Sequence, residues 1–183
     1  MRVFMWLAAM ACLPAAAAEF NAVDTARSRL EFTYRQMGVP MEGRFGRFAV
    51  QLAFDPDRPT AAKATMEVEL ASIDTGSAEG NDEIAGKQWF DTRAFPTARF
   101  VSTGVKALGN GRYEAVGKLT IKGRSQDVAA PFVFSAQGNI GTFDGTFTVK
   151  RADFSIGEGP WADFGTVANE IRIEFHILAK AGR

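Results

Sequence analysis

The chain has 183 residues, 46% hydrophobic and 23% charged, which is the composition of a folded domain and excludes a disordered, collagenous or multi-span membrane protein. Its 21 Lys and Arg balance 21 Asp and Glu, so no basic surplus drives phosphate binding and nucleic acid is excluded as a partner. One His and one Cys leave little for His-ligated zinc or nucleophile-base chemistry, while 16 Phe against 2 Tyr and 3 Trp are rings suited to apolar bulk rather than hydrogen bonding.

Residues 1–18 read as an export signal: Arg2, an apolar stretch from Val3 to Leu13, then Pro14 and four Ala. The apolar part is shorter than the roughly 20 residues of a membrane-spanning helix, so no stable membrane span is expected. Cleavage after Ala18 leaves a periplasmic domain, 19–183, without its only Cys, Cys12. A lipoprotein box at Ala9-Met10-Ala11-Cys12, with acylation of Cys12, fits poorly because of its Ala-Met pair.

Strands are predicted wherever apolar and polar residues alternate with a period of two. In chain order they cover 29–36, 48–54, 66–70, 98–105, 112–122, 127–136, 142–150 and 167–178. Asp55-Pro56-Asp57-Arg58-Pro59 is turn chemistry, and Gly109-Asn110-Gly111 and Lys122-Gly123-Arg124-Ser125 are hairpin links. Between 74 and 97 the alternation stops. One or two helical turns are expected there, capped by Asn81 or Asp82 and closed by Gly86. Trp89, Phe90, Phe95 and Pro96 then cover an open end, as a moving lid or a fixed plug. The acids Glu79, Asp82 and Glu83 lack calcium-loop spacing, so no metal is expected. The sum is an all-β, eight-stranded antiparallel up-and-down barrel with a short helical segment.

Such a barrel is either filled by its own side chains or holds one ligand. The inward positions mix Phe32, Tyr34, Phe100, Phe132, Phe134 and Phe147 with Gly117 and Gly145. Strand glycines mark bends, bulges or spare room, so the pattern leaves a ligand tunnel and a filled interior equally open. Phe48, Trp89, Phe90, Ile173 and Phe175 complete the apolar candidates for ligand contact. His176, on the charged face of the last strand, is expected to be a solvated surface group. No carboxylate pair stands out, so no catalytic residue is assigned.

Several segments resemble the YceI family: Gly43-Arg44-Phe45 with Phe54-Asp55-Pro56, Ala71-Ser72-Ile73-Asp74-Thr75, and Trp89-Phe90-Asp91-Thr92 with Phe95-Pro96. Gly117-x-Leu119-Thr120-Ile121-Lys122-Gly123 and Arg151-x-Asp153-Phe154-x-Ile156-Gly157 complete the likeness. It implies a lipocalin-like barrel whose hydrophobic tunnel binds polyisoprenoid, quinone-type or fatty-acyl lipid, with no required cofactor. Some relatives carry His where this chain has Gln36-Met37-Gly38 and Gly80-Asn81-Asp82-Glu83, so no role of those His carries over. Trp161-x-Asp163 resembles members that work beside membrane cytochromes and quinones.

On this basis the protein is expected to be a periplasmic carrier of a long apolar amphiphile, a monomer or homodimer in transient contact with the membrane or with quinone-using membrane proteins. Strands of about ten residues give a tunnel roughly 30 Å long. Ten buried CH₂ groups contribute about 8 kcal/mol before ordering costs, enough for micromolar binding. Arg35, Arg44 or Arg47 would meet a head group at the mouth, unless each is simply a solvated strand end. The alternatives are an envelope or stress-response interaction protein with a filled barrel, and an enzyme acting on a lipid head group.

Overall fold

The computed structural model describes residues 18–182. The expected signal, including Cys12 but not Ala18, lies outside the described residues. Eleven strands follow in order: β1 (Phe20–Val23), β2 (Arg29–Gln36), β3 (Val39–Phe45), β4 (Phe48–Ala53), β5 (Lys63–Glu69) and β6 (Ile73–Asp74). After the one α-helix among the described residues, α1 (Ala78–Ala85), come β7 (Thr97–Gly109), β8 (Arg112–Ile121), β9 (Arg124–Gln137), β10 (Ile140–Lys150) and β11 (Glu170–Ala181).

The strands pair in the order β4-β5-β7-β8-β9-β10-β11-β2-β3-β6, with β1 added to β11. They form antiparallel pairs that curl into a half-barrel. Where β4 ends, Phe54 reaches across to β1 and exchanges two backbone hydrogen bonds with Phe20, of 2.8 and 3.1 Å. The expectation of eight strands is therefore corrected to eleven, and the simple up-and-down order is broken where β6 leaves its sequence neighbours for β3. The extra strands are short or poorly marked. β3 contains Pro40 and Gly43, both weak strand formers. It pairs with β2 because Met37 and Gly38 have φ of 50° and 80°, the left-handed pair that a two-residue hairpin turn requires.

Helix α1 begins earlier than expected. Ser77 is its cap, accepting a hydrogen bond from the Gly80 amide at 3.0 Å. Asn81 instead anchors the preceding turn, its Oδ1 accepting from the Thr75 amide at 2.7 Å and the Thr75 hydroxyl at 2.8 Å. This correction follows from competition: an Asn one turn inside the helix can still bond back to the chain that enters it.

Three apolar clusters stack along the barrel. At one end, near the β7–β8 and β9–β10 hairpins, Phe20, Phe54, Tyr113, Phe132 and Phe143 pack together with Phe134. Leu30, Phe32, Val68, Leu70 and Ala98 form the middle. Trp89, Val149, Phe154, Ile156 and Val167 form the other end, beneath α1 and the connection from β10 to β11. The strand glycines serve this packing. A Cβ on Gly117 would lie 2.7 Å from the Phe100 ring, and one on Gly145 would collide with the ring of its cross-strand partner Phe175. The room these glycines make is thus taken by phenylalanine, so of the alternatives the pattern left open for Gly117 and Gly145 the structure shows close packing.

Candidate ligand-binding site

Between the two end clusters lies a cavity of about 320 Å³, within the range of small-molecule pockets. Its walls include Leu30, Phe32, Tyr34, Phe100, Leu119, Phe147, Ile173 and Phe175. They are inward positions of strands in which every second residue faces the interior. Trp89 and Phe90 line it from the segment after α1. The structure thus brings together Phe32, Tyr34, Trp89, Phe90, Phe100, Phe132, Phe147, Ile173 and Phe175 around one space. Gly117, Phe48 and Phe134 are not among its lining residues: Phe100 covers Gly117, Phe48 packs between two clusters, and Phe134 lies behind the floor.

The floor is aromatic. Phe54, 1% exposed, sits 5.1 Å from the Phe143 ring centroid and 6.0 Å from that of Phe132, and all three line the cavity. Behind them Tyr113 stacks on Phe132 at 5.4 Å, and Phe134 packs on Phe54 and Phe143 at 4.9 Å each. Aromatic side chains thus crowd the hairpin end of the interior, where Phe54, Phe132 and Phe143 both line the cavity and pack against one another.

The arginines expected at the mouth lie elsewhere. Arg44 alternates with the inward Gly43 and Phe45, is 70% exposed, and donates to Asp74 at 2.8 and 3.1 Å. Arg35 is exposed and donates to the Gly38 carbonyl at 3.1 Å, and Arg47 is ion-paired with Glu69. None is among the lining residues. His176, expected to be solvated, is half-buried and paired across the strands with Asp144 at 2.5 Å.

The buried cation among the lining residues is Arg151, only 2% exposed. Its Nε donates to the Ala168 carbonyl at 3.2 Å and its Nη1 to those of Ile156 and Gly157 at 2.8 and 2.9 Å. Its Nη2 donates to Trp161 and Val167 carbonyls at 2.7 and 2.8 Å, so the five N–H groups of the guanidinium are all engaged. The guanidinium also lies 5.5 Å from the Trp89 ring centroid and 5.2 Å from that of Phe164. Burial lowers its pKa from the usual value, and carbonyl dipoles take the place of a carboxylate in holding the charge. One signal in the sequence pointed to it. Phe143, Gly145, Phe147, Val149 and Arg151 share one parity, so Arg151 continues the inward face of β10.

Arg151 shapes the loop from β10 to β11, and that loop is tied to the helical segment. Trp161 Nε1 donates to Glu83 Oε1 at 2.7 Å, and the Gln88 carbonyl accepts from the Gly157 and Glu158 amides at 2.8 Å each. The Lys122 ammonium donates to the Lys87 and Ser155 carbonyls at 2.8 Å and to Glu158 at 3.0 Å. Trp89 packs on Trp161 at 5.5 Å, while its own Nε1 is buried without a hydrogen-bond partner. The two segments thus form one cover over the cavity. Lining residues with polar side chains, Gln36, Thr75, Glu83 and Arg151, gather at this end. Lys63, Thr65 and Arg99 border the wall at positions that alternate with the inward Ala64, Met66 and Phe100.

A YceI-like domain model matches residues 22–179, which include β2 to β10, the helix, the cover and most of β11. The chain belongs to the YceI-like family. Relatives include a UPF0312 protein of Pseudomonas savastanoi pv. phaseolicola, 32% identical over 139 residues, with 72% of each chain covered. Among solved structures, Burkholderia cenocepacia BcnA is 41% identical with a TM-score of 0.84, covering 86% of this chain and 99% of that one. A polyisoprenoid binding domain from Saccharophagus degradans, implicated in plant cell wall breakdown, shares the fold at 17% identity and TM-score 0.68, covering 91% of this chain and 99% of its own. In this YceI-like chain no helix among the described residues is long and apolar enough to cross a membrane.

Proposed function

We propose that this YceI-like protein is a carrier that holds one apolar amphiphile, of polyisoprenoid, quinone or fatty-acyl type, in the pocket between its aromatic floor and its hydrogen-bonded cover. The observation that carries this reading is the pocket itself: a space of about 320 Å³ walled by Phe, Leu and Ile in a domain whose ends are otherwise closely packed. Native interiors leave few voids larger than a water molecule, so an apolar space of this size is fitted to something. The polyisoprenoid binding named for the fold relative from Saccharophagus degradans supports the ligand class.

The carrier role asks for no bond-making by the protein. Arg151 has its N–H groups engaged by backbone carbonyls and Glu83 accepts from Trp161, so these groups build the cover. Recognition then rests on apolar burial, at about 0.8 kcal/mol per CH₂, which favours chain length and shape over head-group identity. Export by the signal in residues 1–18 would place the carrier in the periplasm, between two membranes that exchange such lipids.

The test is native mass spectrometry with solvent extraction on protein purified from its own compartment. One stoichiometric isoprenoid, quinone or acyl chain per protein is the expected result. An empty pocket that also rejects added prenols overturns the reading in favour of a ligand-free interaction protein.

A further inference from the structure

We infer that the turn between β2 and β3, together with Phe164 of the cover, is a docking rim for a lipid surface, through which the pocket exchanges its ligand with a bilayer. The inference rests on the carrier reading and adds the place where the carrier meets its membrane.

Three observations carry it. The first is a cluster of apolar side chains left in water at the cover end: Met37 is 78% exposed, Val39 57% and Phe164 49%. They are neighbours. The Met37 amide donates to the Thr166 carbonyl at 2.9 Å, Gln36 bridges to Val167, and Ala168 donates to the Arg35 carbonyl, so the tip of the hairpin is tied to the loop that holds Phe164. An exposed group of this kind marks a contact surface.

The second is continuity with the cavity. Tyr34 and Gln36 line it, and their cross-strand partners on β3 are Met41 and Val39. Directly paired residues share a face of the sheet, so Met41 and Val39 carry the cavity face outward until, at Val39, it stands in solvent. Phe164 has its ring on the Arg151 guanidinium, which itself lines the cavity. An apolar path thus leads from the pocket wall to the tip.

The third is charge. The segment from Arg35 to Met41 holds no acid. Arg35 is exposed, bonds only to the Gly38 carbonyl, and is not among the ion-paired arginines Arg27, Arg44, Arg47, Arg58, Arg99 and Arg172. Beside Phe164, the Asp163 carboxylate accepts from the Gly165 amide and the Thr166 hydroxyl of its own loop. Apolar side chains at a tip with a cation behind them suit the boundary between acyl chains and phosphates, where the one is buried and the other meets anionic head groups. A lipid surface is also the source and sink of the ligand class that the pocket takes.

The experiment floats the protein with vesicles of phosphatidylethanolamine and phosphatidylglycerol, or of phosphatidylcholine alone, and follows uptake of geranylgeraniol from them. Affinity for geranylgeraniol added without vesicles is measured in parallel by Trp fluorescence. The wild type should float with the anionic vesicles. Met37→Asn with Val39→Thr keeps a residue suited to the left-handed turn and a β-branched strand residue, so the fold should hold. Flotation and the rate of uptake should fall at least about tenfold in this variant, with affinity in solution unchanged. Arg35→Gln should weaken flotation about fivefold on anionic vesicles and not on phosphatidylcholine. Leu108→Asn, which removes an exposed apolar side chain at the opposite end, should change nothing. A wild type that takes up the prenol yet never floats, or a Leu108→Asn loss as large as that of the rim variant, overturns the docking rim and leaves the carrier reading standing. Flotation lost only in the rim variants, with no prenol bound by any protein, supports the rim and overturns the carrier reading.

Discussion

The two ends of the barrel are closed by opposite physics. The hairpin end is shut by interlocked rings around Phe54, and its stabilisation is dispersion and apolar burial, which are non-directional and summed over many contacts. The cover end is shut by directional bonds: five carbonyls on Arg151, the Lys122 ammonium on three oxygens, and the Trp161 indole on Glu83. A packed aromatic floor yields only when the domain unfolds. A hydrogen-bonded cover can exchange its partners with water and open locally, which suits the end through which a ligand passes.

The strongest way to break this contrast is Phe54→Ala. It should cost about 4 kcal/mol of global stability by removing the hub of the aromatic cluster, and denaturant unfolding would measure it. Hydrogen exchange in the cover should then rise only with global unfolding. Arg151→Met should cost about 3 kcal/mol, since five carbonyls lose their donor. Its signature is different: exchange in residues 156–168 should accelerate before the rest of the domain, and equal acceleration in the floor strands would contradict the division.

Trp161→Phe keeps the ring against Trp89 and removes the bond to Glu83, so about 1 kcal/mol is lost. A bound prenol should leave faster with little change in melting temperature. Acid sharpens the comparison further. Lys122 holds the Glu158 carboxyl below its usual value of 4.5, and Arg58 holds that of Asp55 below 3.8. Groups lowered on folding stabilise above their unfolded pKa and lose that stabilisation as pH falls through the folded value. Stability should therefore be flat from about pH 7 to 5 and decline below about 4, with Lys122→Met reducing the part due to Glu158. The smallest effect belongs to Arg44→Ala: its exposed pair with Asp74 is outside the pocket, and prenol affinity should not change.

Much of the wall was legible because strand parity is a local property. Leu30, Phe32 and Tyr34 on β2 and Phe143 and Phe147 on β10 face inward as their alternation requires. The same rule, applied one residue further, would have placed Arg151 inside and Arg44 outside. A preference for charged residues in water obscured both, since a buried Arg is paid for only by carbonyls that come from residues 156–168. The strand count was less legible. β1 gains its pairing from β11 at the far end of the chain, and β6 from β3, partners that no local pattern in either strand reveals.

The amino-acid sequence by itself determined an all-β domain, the inward face of each long strand, the hairpin turns at 109–111 and 122–123 and the family resemblance, because these depend on residues within a few positions of each other. Tertiary structure alone decided that the glycines are filled by Phe100 and Phe175, that one end is a floor, and that Arg151 builds the other. The physical reason is that the volume left inside a barrel is a difference between the space the strands enclose and the side chains that fill it. That difference is set only when every strand has found its neighbour.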